Sequence, residues 1–141
     1  MSLREESLEE YVFLSVRKPP TAEYQADLEW FCRTFGFLES RDKKKTAYFI
    51  FKALVEATVH NNGLTSDELA EKLSLTRGTM VHHLNKMMKS GLVIFHEGKY
   101  KIRERSLKNT VEEIKRDVGR VFENVLNVSE TLDQTLGLSS R

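Results

Sequence analysis

The sequence predicts a mainly α-helical fold with one small β-hairpin and a long C-terminal helix, on three observations. Residues 65–103 carry start and stop signals for two short helices and a hairpin. Residues 107–132 carry an unbroken apolar repeat at helical spacing. A chain of 141 residues, 40% of them hydrophobic, suits one domain with extensions.

The helix pair is punctuated residue by residue. Thr65 and Glu68 have the spacing of a capping box, and Leu64 with Leu69 can form the accompanying hydrophobic staple. A short helix runs through Ala70 and Leu73 to a tight turn at Ser74-Leu75. Thr76 caps a second helix, with Leu75 and Met80 as its staple, and Gly91 stops it in the left-handed region. Leu92 is then placed to pack on Met87. Strands at Val93–Phe95 and Tyr100–Arg103 flank a Glu97-Gly98 turn, which pairs Phe95 with Tyr100 and Val93 with Ile102. Together these elements form a winged helix-turn-helix.

Thr76-Arg77-Gly78-Thr79-Met80-Val81-His82-His83-Leu84, followed by Lys86, Met87 and Gly91-Leu92-Val93, resembles the recognition-helix pattern of ArsR-type repressors. That pattern has a small-residue start, a His-Leu pair and a closing Gly-Leu-Val. The wider resemblance is to winged-helix repressors of the ArsR and MarR type, over about 40 residues, or about 60 with the preceding helix. It implies that the second helix enters the major groove of double-stranded DNA and that the wing touches the flanking backbone.

Helical geometry then selects side chains. With Leu84 as the buried direction, Met80, Val81, Met87 and Met88 fall on the inner face. Gly78, Thr79, His82, Lys86 and Lys89 fall opposite, and Arg77 projects from the first turn. Arg77 suits a bidentate guanine contact, and Thr79 and His82 suit adaptable base or phosphate contacts. Lys86 and Lys89 suit phosphates, and Lys99, Lys101 and Arg103 give the wing a positive edge. A plain solvated helix face is the competing reading.

The net charge is only +1, but it is unevenly spread. Residues 1–39 hold four Lys/Arg against eight Asp/Glu, residues 40–103 twelve against six, and residues 104–141 six against seven. The excess of cations lies in the segment that would meet DNA. Part of it is Arg41, Lys43, Lys44 and Lys45, expected at the start of a helix, where they oppose its dipole.

Leu107, Val111, Ile114, Val118, Val121, Val125, Val128 and Leu132 alternate at spacings of four and three. This is a coiled-coil seam of about four heptads, and Phe122, Leu126 and Leu136 widen it. A helix of about 30 residues, about 45 Å long, exceeds what a small winged helix can cover. The expectation is a homodimer joined along this helix, parallel or antiparallel. The competing reading packs the helix on its own domain.

The N-terminal third is less regular. Ser7 and Glu10 have capping-box spacing, while Tyr11-Val12-Phe13-Leu14 fits a strand equally well, and Pro19-Pro20 ends either element. From Thr21 a helical face of Tyr24, Leu28, Phe31, Cys32 and Phe35 runs to Gly36. Ser40 is expected to cap the next helix, with Ala47, Ile50, Phe51, Leu54, Val55 and Thr58 buried, and Asn61-Asn62-Gly63 closes it. Trp30, Phe31, Phe35 and Phe37 fit core or dimer packing, with an effector pocket as the alternative. The organisation expected is an N-terminal helical extension over 1–39, the winged helix-turn-helix over 40–103 and a dimerisation helix over 104–137.

The remaining residues argue against other classes. His60, His82, His83 and His96 have no spacing that pairs a base with a nucleophile, so no enzyme is expected. With one cysteine, Cys32, and no histidine after His96, neither a metal nor another cofactor is expected. The longest apolar run is too short to span a bilayer, and acidic residues occupy the place of a signal peptide's basic segment. A cytoplasmic, sequence-specific regulator of transcription is therefore expected, with no membrane partner; a small-molecule effector is compatible with the sequence but has no residue pattern in its support. The alternative is a winged helix serving as a protein-interaction module of transcription or chromosome machinery.

Overall fold

The structure, a computed structural model, describes residues 9–138. In chain order the elements are α1 (Tyr24–Thr34), α2 (Thr46–Thr58), α3 (Ser66–Leu73), α4 (Arg77–Lys89), β1 (Val93–His96), β2 (Lys99–Ile102) and α5 (Leu107–Leu136). This is a winged helix-turn-helix followed by one long helix, the fold class that the sequence predicts.

The core is built around α2. Ile50, Phe51 and Leu54 are fully buried there, together with Leu69 of α3 and Met80, Leu84 and Met87 of α4. Leu92, Val93 and Ile102 join from the hairpin. Burying side chains of this size contributes about 1.5–3 kcal/mol each. Leu28 and Cys32 of α1 belong to the same core, with Phe37 and Leu38 beyond it. Phe31 stacks on Phe51 with ring centroids 5.6 Å apart, and Phe37 lies 5.2 Å from the same ring. Phe31, Phe35 and Phe37 of the N-terminal aromatic cluster thus pack in or against the core.

Residues Tyr11–Leu14 form neither the strand nor the helix that the sequence allowed; they run as an extended strap. The reason lies in where its hydrogen bonds go. Leu14 N–H donates to Thr34 O at 2.8 Å and Glu10 N–H to Lys89 O at 3.2 Å. Those acceptors are carbonyls left free at the C-terminal ends of α1 and α4. Trp30 Nε1 fastens the strap by donating to Val16 O at 2.8 Å. Ser7, half of the expected capping box, lies outside the described residues.

Ser40 does not cap α2. The helix begins at Thr46, and Asp42 is its capping group: the N–H groups of Thr46 and Ala47 donate to Asp42 Oδ1 and Oδ2 at 2.9 and 3.0 Å. Two carboxylate oxygens satisfy two free amides, which one hydroxyl at position 40 cannot do. The basic run therefore lies in the preceding loop, where Lys45 Nζ meets Glu29 Oε1 at 2.9 Å.

The apolar seam of α5 divides in two. Leu107, Ile114 and Val118 pack on the core of their own domain, and Ile114 is only 2% exposed. Beyond them Val121, Val125, Val128 and Leu132 are 48%, 52%, 59% and 54% exposed. Ser106 opens the helix by accepting from Asn109 N–H at 3.0 Å, and Gly137 ends it in the left-handed region.

Asp42→Ala should lower unfolding free energy by about 1 kcal/mol, the usual cost of losing an N-terminal cap. Ser40→Ala should leave it unchanged. Urea titrations of both variants check this, and a loss in Ser40→Ala with none in Asp42→Ala would return the cap to Ser40.

Candidate nucleic-acid interface

The geometry of the helix pair follows from its caps. Thr65 N–H donates to Glu68 Oε1 at 2.8 Å, and Glu68 N–H donates back to Thr65 Oγ1 at 3.0 Å. The backbone amide of Thr65 holds the Glu68 carboxyl below the usual carboxylate range. Ser74 takes the left-handed conformation (φ 53°), so the chain turns within Ser74–Thr76. Thr76 Oγ1 then accepts from Thr79 N–H at 3.2 Å and starts α4.

The stop of α4 differs in one bond from the motif expected. Gly91 N–H reaches Met88 O at 3.1 Å, the inner bond of a Schellman stop. The outer bond is relayed: Leu92 N–H donates to Ser90 Oγ at 3.4 Å, and that hydroxyl donates to Met87 O at 2.6 Å. Gly91 has φ +86°, and a Cβ there would stand 3.2 Å from Ile114 Cγ1.

Met80, Leu84 and Met87 are buried, while Arg77, Gly78, Thr79, His82 and Lys89 are exposed. Asn85 is exposed beside them and was missed in the sequence, although the helical wheel places it about 100° from Leu84. Its amide suits adenine. Two cations of the face are engaged. Arg77 forms an ion pair with Asp67 of α3, both side chains well exposed, and such pairs contribute little. Lys86 forms an ion pair with Glu39, which also accepts from Arg41 Nε at 2.7 Å. The hydrogen bond and charge of Lys86 hold the Glu39 carboxyl below its ordinary range.

The wing turns at Glu97 and Gly98, both at positive φ (51° and 80°), the pattern of a type I′ turn. Its register pairs Val93 with Ile102 and Phe95 with Tyr100, as the sequence predicts. Leu64 adds a bridge that the sequence did not show, exchanging hydrogen bonds with Tyr100 at 2.9 and 2.8 Å. Gly63 permits this approach, since a Cβ there would stand 2.7 Å from Tyr100 O. Lys99 is exposed and Lys101 half-buried.

Arg103 departs from its expected place on the wing's free edge. Its guanidinium bonds Asp117 Oδ2 of α5 at 2.8 Å, with Glu113 at 3.8 Å. The sequence shows its charge but not the carboxylates that α5 brings beneath it.

His82 and His83 meet edge-on with ring centroids 5.4 Å apart. No group of three His, Cys, Asp or Glu residues is placed to hold a metal among the described residues. His83 Nδ1 is buried without a hydrogen-bond partner, and burial lowers the pKa of the ring.

Residues 52–94, from α2 into β1, match the family model described as bacterial regulatory protein, arsR family. The matched stretch holds the helix pair that carries the resemblance in the sequence. No curated protein matches the chain. Among solved structures, the chain is similar to a MarR family protein from Bacillus stearothermophilus at 18% identity. That alignment covers 83% of this chain and 97% of the other, with a TM-score of 0.33.

The pH dependence of stability should reveal His83. Its folded-state pKa is depressed, so as pH falls the unfolded chain takes up the proton first. Stability from the neutral ring is therefore complete above about pH 6.5 and is lost below it, down to the lower folded value. The stability difference between wild type and His83→Gln should shift against the wild type between about pH 7 and pH 5. A constant difference would mean that the ring is not desolvated.

Proposed function

We propose that the chain is a DNA-binding regulator of transcription that reads a specific duplex site as a homodimer. The observation that carries this is the two-sidedness of α4. One side is locked into the core by Met80, Leu84 and Met87, while the other presents Arg77, Thr79, His82, Asn85 and Lys89 to solvent. The match of residues 52–94 to the arsR-family model supports DNA binding as the use of that face.

In this reading Arg77 and Asn85 meet base edges, with Thr79 and His82 as adaptable neighbours. Lys86 and Lys89 meet phosphates, and Lys99 and Lys101 extend the contact along the wing. Arg103 is left out, because its guanidinium serves Asp117.

The second copy is placed on the distal half of α5. Val121, Phe122, Val125, Leu126, Val128, Leu132 and Leu136 are all exposed there, on one arc of about 160° at 100° per residue. A solvated arc this wide on a monomer is costly, and a partner helix buries it. Leu107, Ile114 and Val118 leave the proposed seam because the protomer's own core uses them, and Val111 lies half-buried beside them. Two reading heads joined this way face successive major grooves of a roughly palindromic site.

Selection from a random duplex pool, followed by anisotropy titrations at several salt concentrations, tests the reading. Arg77→Ala should cost about 1–3 kcal/mol at the selected site and less on random duplex. Lys89→Ala should weaken both alike and flatten the salt slope by about one unit. Binding that ignores salt would favour a protein-interaction module instead.

Val125→Glu with Val128→Glu should split the dimer, because unpaired carboxylates in a helix seam cost several kcal/mol. Affinity for a two-half-site duplex should then fall by about 10²–10⁴, and half-site affinity should change little. An intact dimer in sedimentation would move the subunit contact elsewhere.

A further inference from the structure

Of the three cations on the outward side of α4, two are already paired with carboxylates of their own chain. Lys86 holds Glu39 from the turn between α1 and α2, and Arg77 holds Asp67 of α3. The Lys86–Glu39 pair is the more sheltered, its side chains 36% and 33% exposed against 69% and 77%. Both residues line a groove together with Val12, Phe35, Phe37, His82, Asn85 and Lys89. Glu39 also takes Arg41, so one carboxylate offsets two cations at the edge of the reading face.

We infer that Glu39 is a built-in counterion of the reading face that limits how tightly the protein holds any duplex. The inference rests on the DNA-binding reading above and adds a means of regulating that same face. Its physics is exchange. A free lysine that meets a phosphate releases condensed cations from the DNA, and this release drives non-specific binding. A lysine that must first leave a carboxylate gains less, and the abandoned carboxylate faces the phosphates. Cognate and random duplexes are penalised alike, so affinity falls while the ratio between them holds. Base contacts then decide whether the protein stays.

A double-mutant cycle isolates the effect. Wild type, Glu39→Gln, Lys86→Ala and the double variant are titrated with a random-sequence duplex at about 50–200 mM salt. Glu71→Gln, on the exposed side of α3, measures the general gain from losing one negative charge. Glu39→Gln should tighten binding about three- to tenfold and steepen the salt slope by about one unit. Made on Lys86→Ala, the same change should gain no more than Glu71→Gln does. Equal gains on both backgrounds, or a gain no larger than that of Glu71→Gln, would overturn the inference and leave the functional reading intact. A wild-type protein that binds no duplex would overturn both. Carboxyl titration by NMR checks the pair without DNA: the Glu39 pKa should return toward its ordinary value in Lys86→Ala, and an unmoved value would remove the premise.

Discussion

The structure depends most on the burial of one side of α4. Met80, Leu84 and Met87 share a core with Ile50, Phe51 and Leu54 of α2, all without solvent exposure. A helix seated by three apolar side chains cannot rotate without opening cavities, and truncating a single Leu or Met in such a core costs about 2–5 kcal/mol. The orientation of Arg77, Thr79, His82 and Asn85 is therefore set by residues that never meet a ligand. The caps act in the same direction. Thr65, Glu68 and Thr76 fix where α3 and α4 begin, and the relay through Ser90 fixes where α4 ends.

Segments whose structure is locally determined were legible in the sequence. A capping box, a threonine N-cap, a glycine stop and a type I′ turn each act within a few residues, so 65–103 could be read one position at a time. The seam of α5 was legible in its period but not in its division. Spacing shows that Ile114 and Val125 share a face; it does not show that Ile114 is covered by its own domain while Val125 is bare. The strap was illegible because its bonds go to the ends of α1 and α4, distant in sequence. Ser40 and Asp42 are both good caps by type, and only the left-handed turn at Lys45 decides between them. The partners of Lys86 and Arg103 lie 47 and 14 residues away, beyond any local rule.

Three elements meet where α4 ends. Gly91 gives α4 its stop and leaves room for Ile114, while Arg103 Nη1 comes within 3.5 Å of the position a Cβ would take. Asp117, largely sheltered, receives Arg103 from the wing and pairs with Arg120 on its own helix. The wing base, the end of α4 and the first half of α5 are thus tied at one point. In the proposed dimer this tie carries the position of the joining helix into that of each reading head. The spacing between two heads then follows from how the exposed residues beyond Val118, the last residue of α5 that packs on the core, meet their copies.

Beyond that tie, α5 stands on weaker local terms. Gly119 lies at the root of the exposed half, where a Cβ would meet nothing within 4 Å, so no close approach within the protomer calls for it. Glycine inside a helix costs about 1 kcal/mol relative to alanine. Ser129, Thr131 and Thr135 turn their hydroxyls back to carbonyls four residues earlier, a habit that slightly weakens helices. Helices in proteins take most of their stability from packing an amphipathic face. The apolar arc is then the main source of order left to this segment, and it acts only once covered. In the proposed dimer, covering the arc supplies the packing that this half of the helix lacks within its own protomer. Its apparent affinity for a two-half-site operator therefore depends on protein concentration through this pairing.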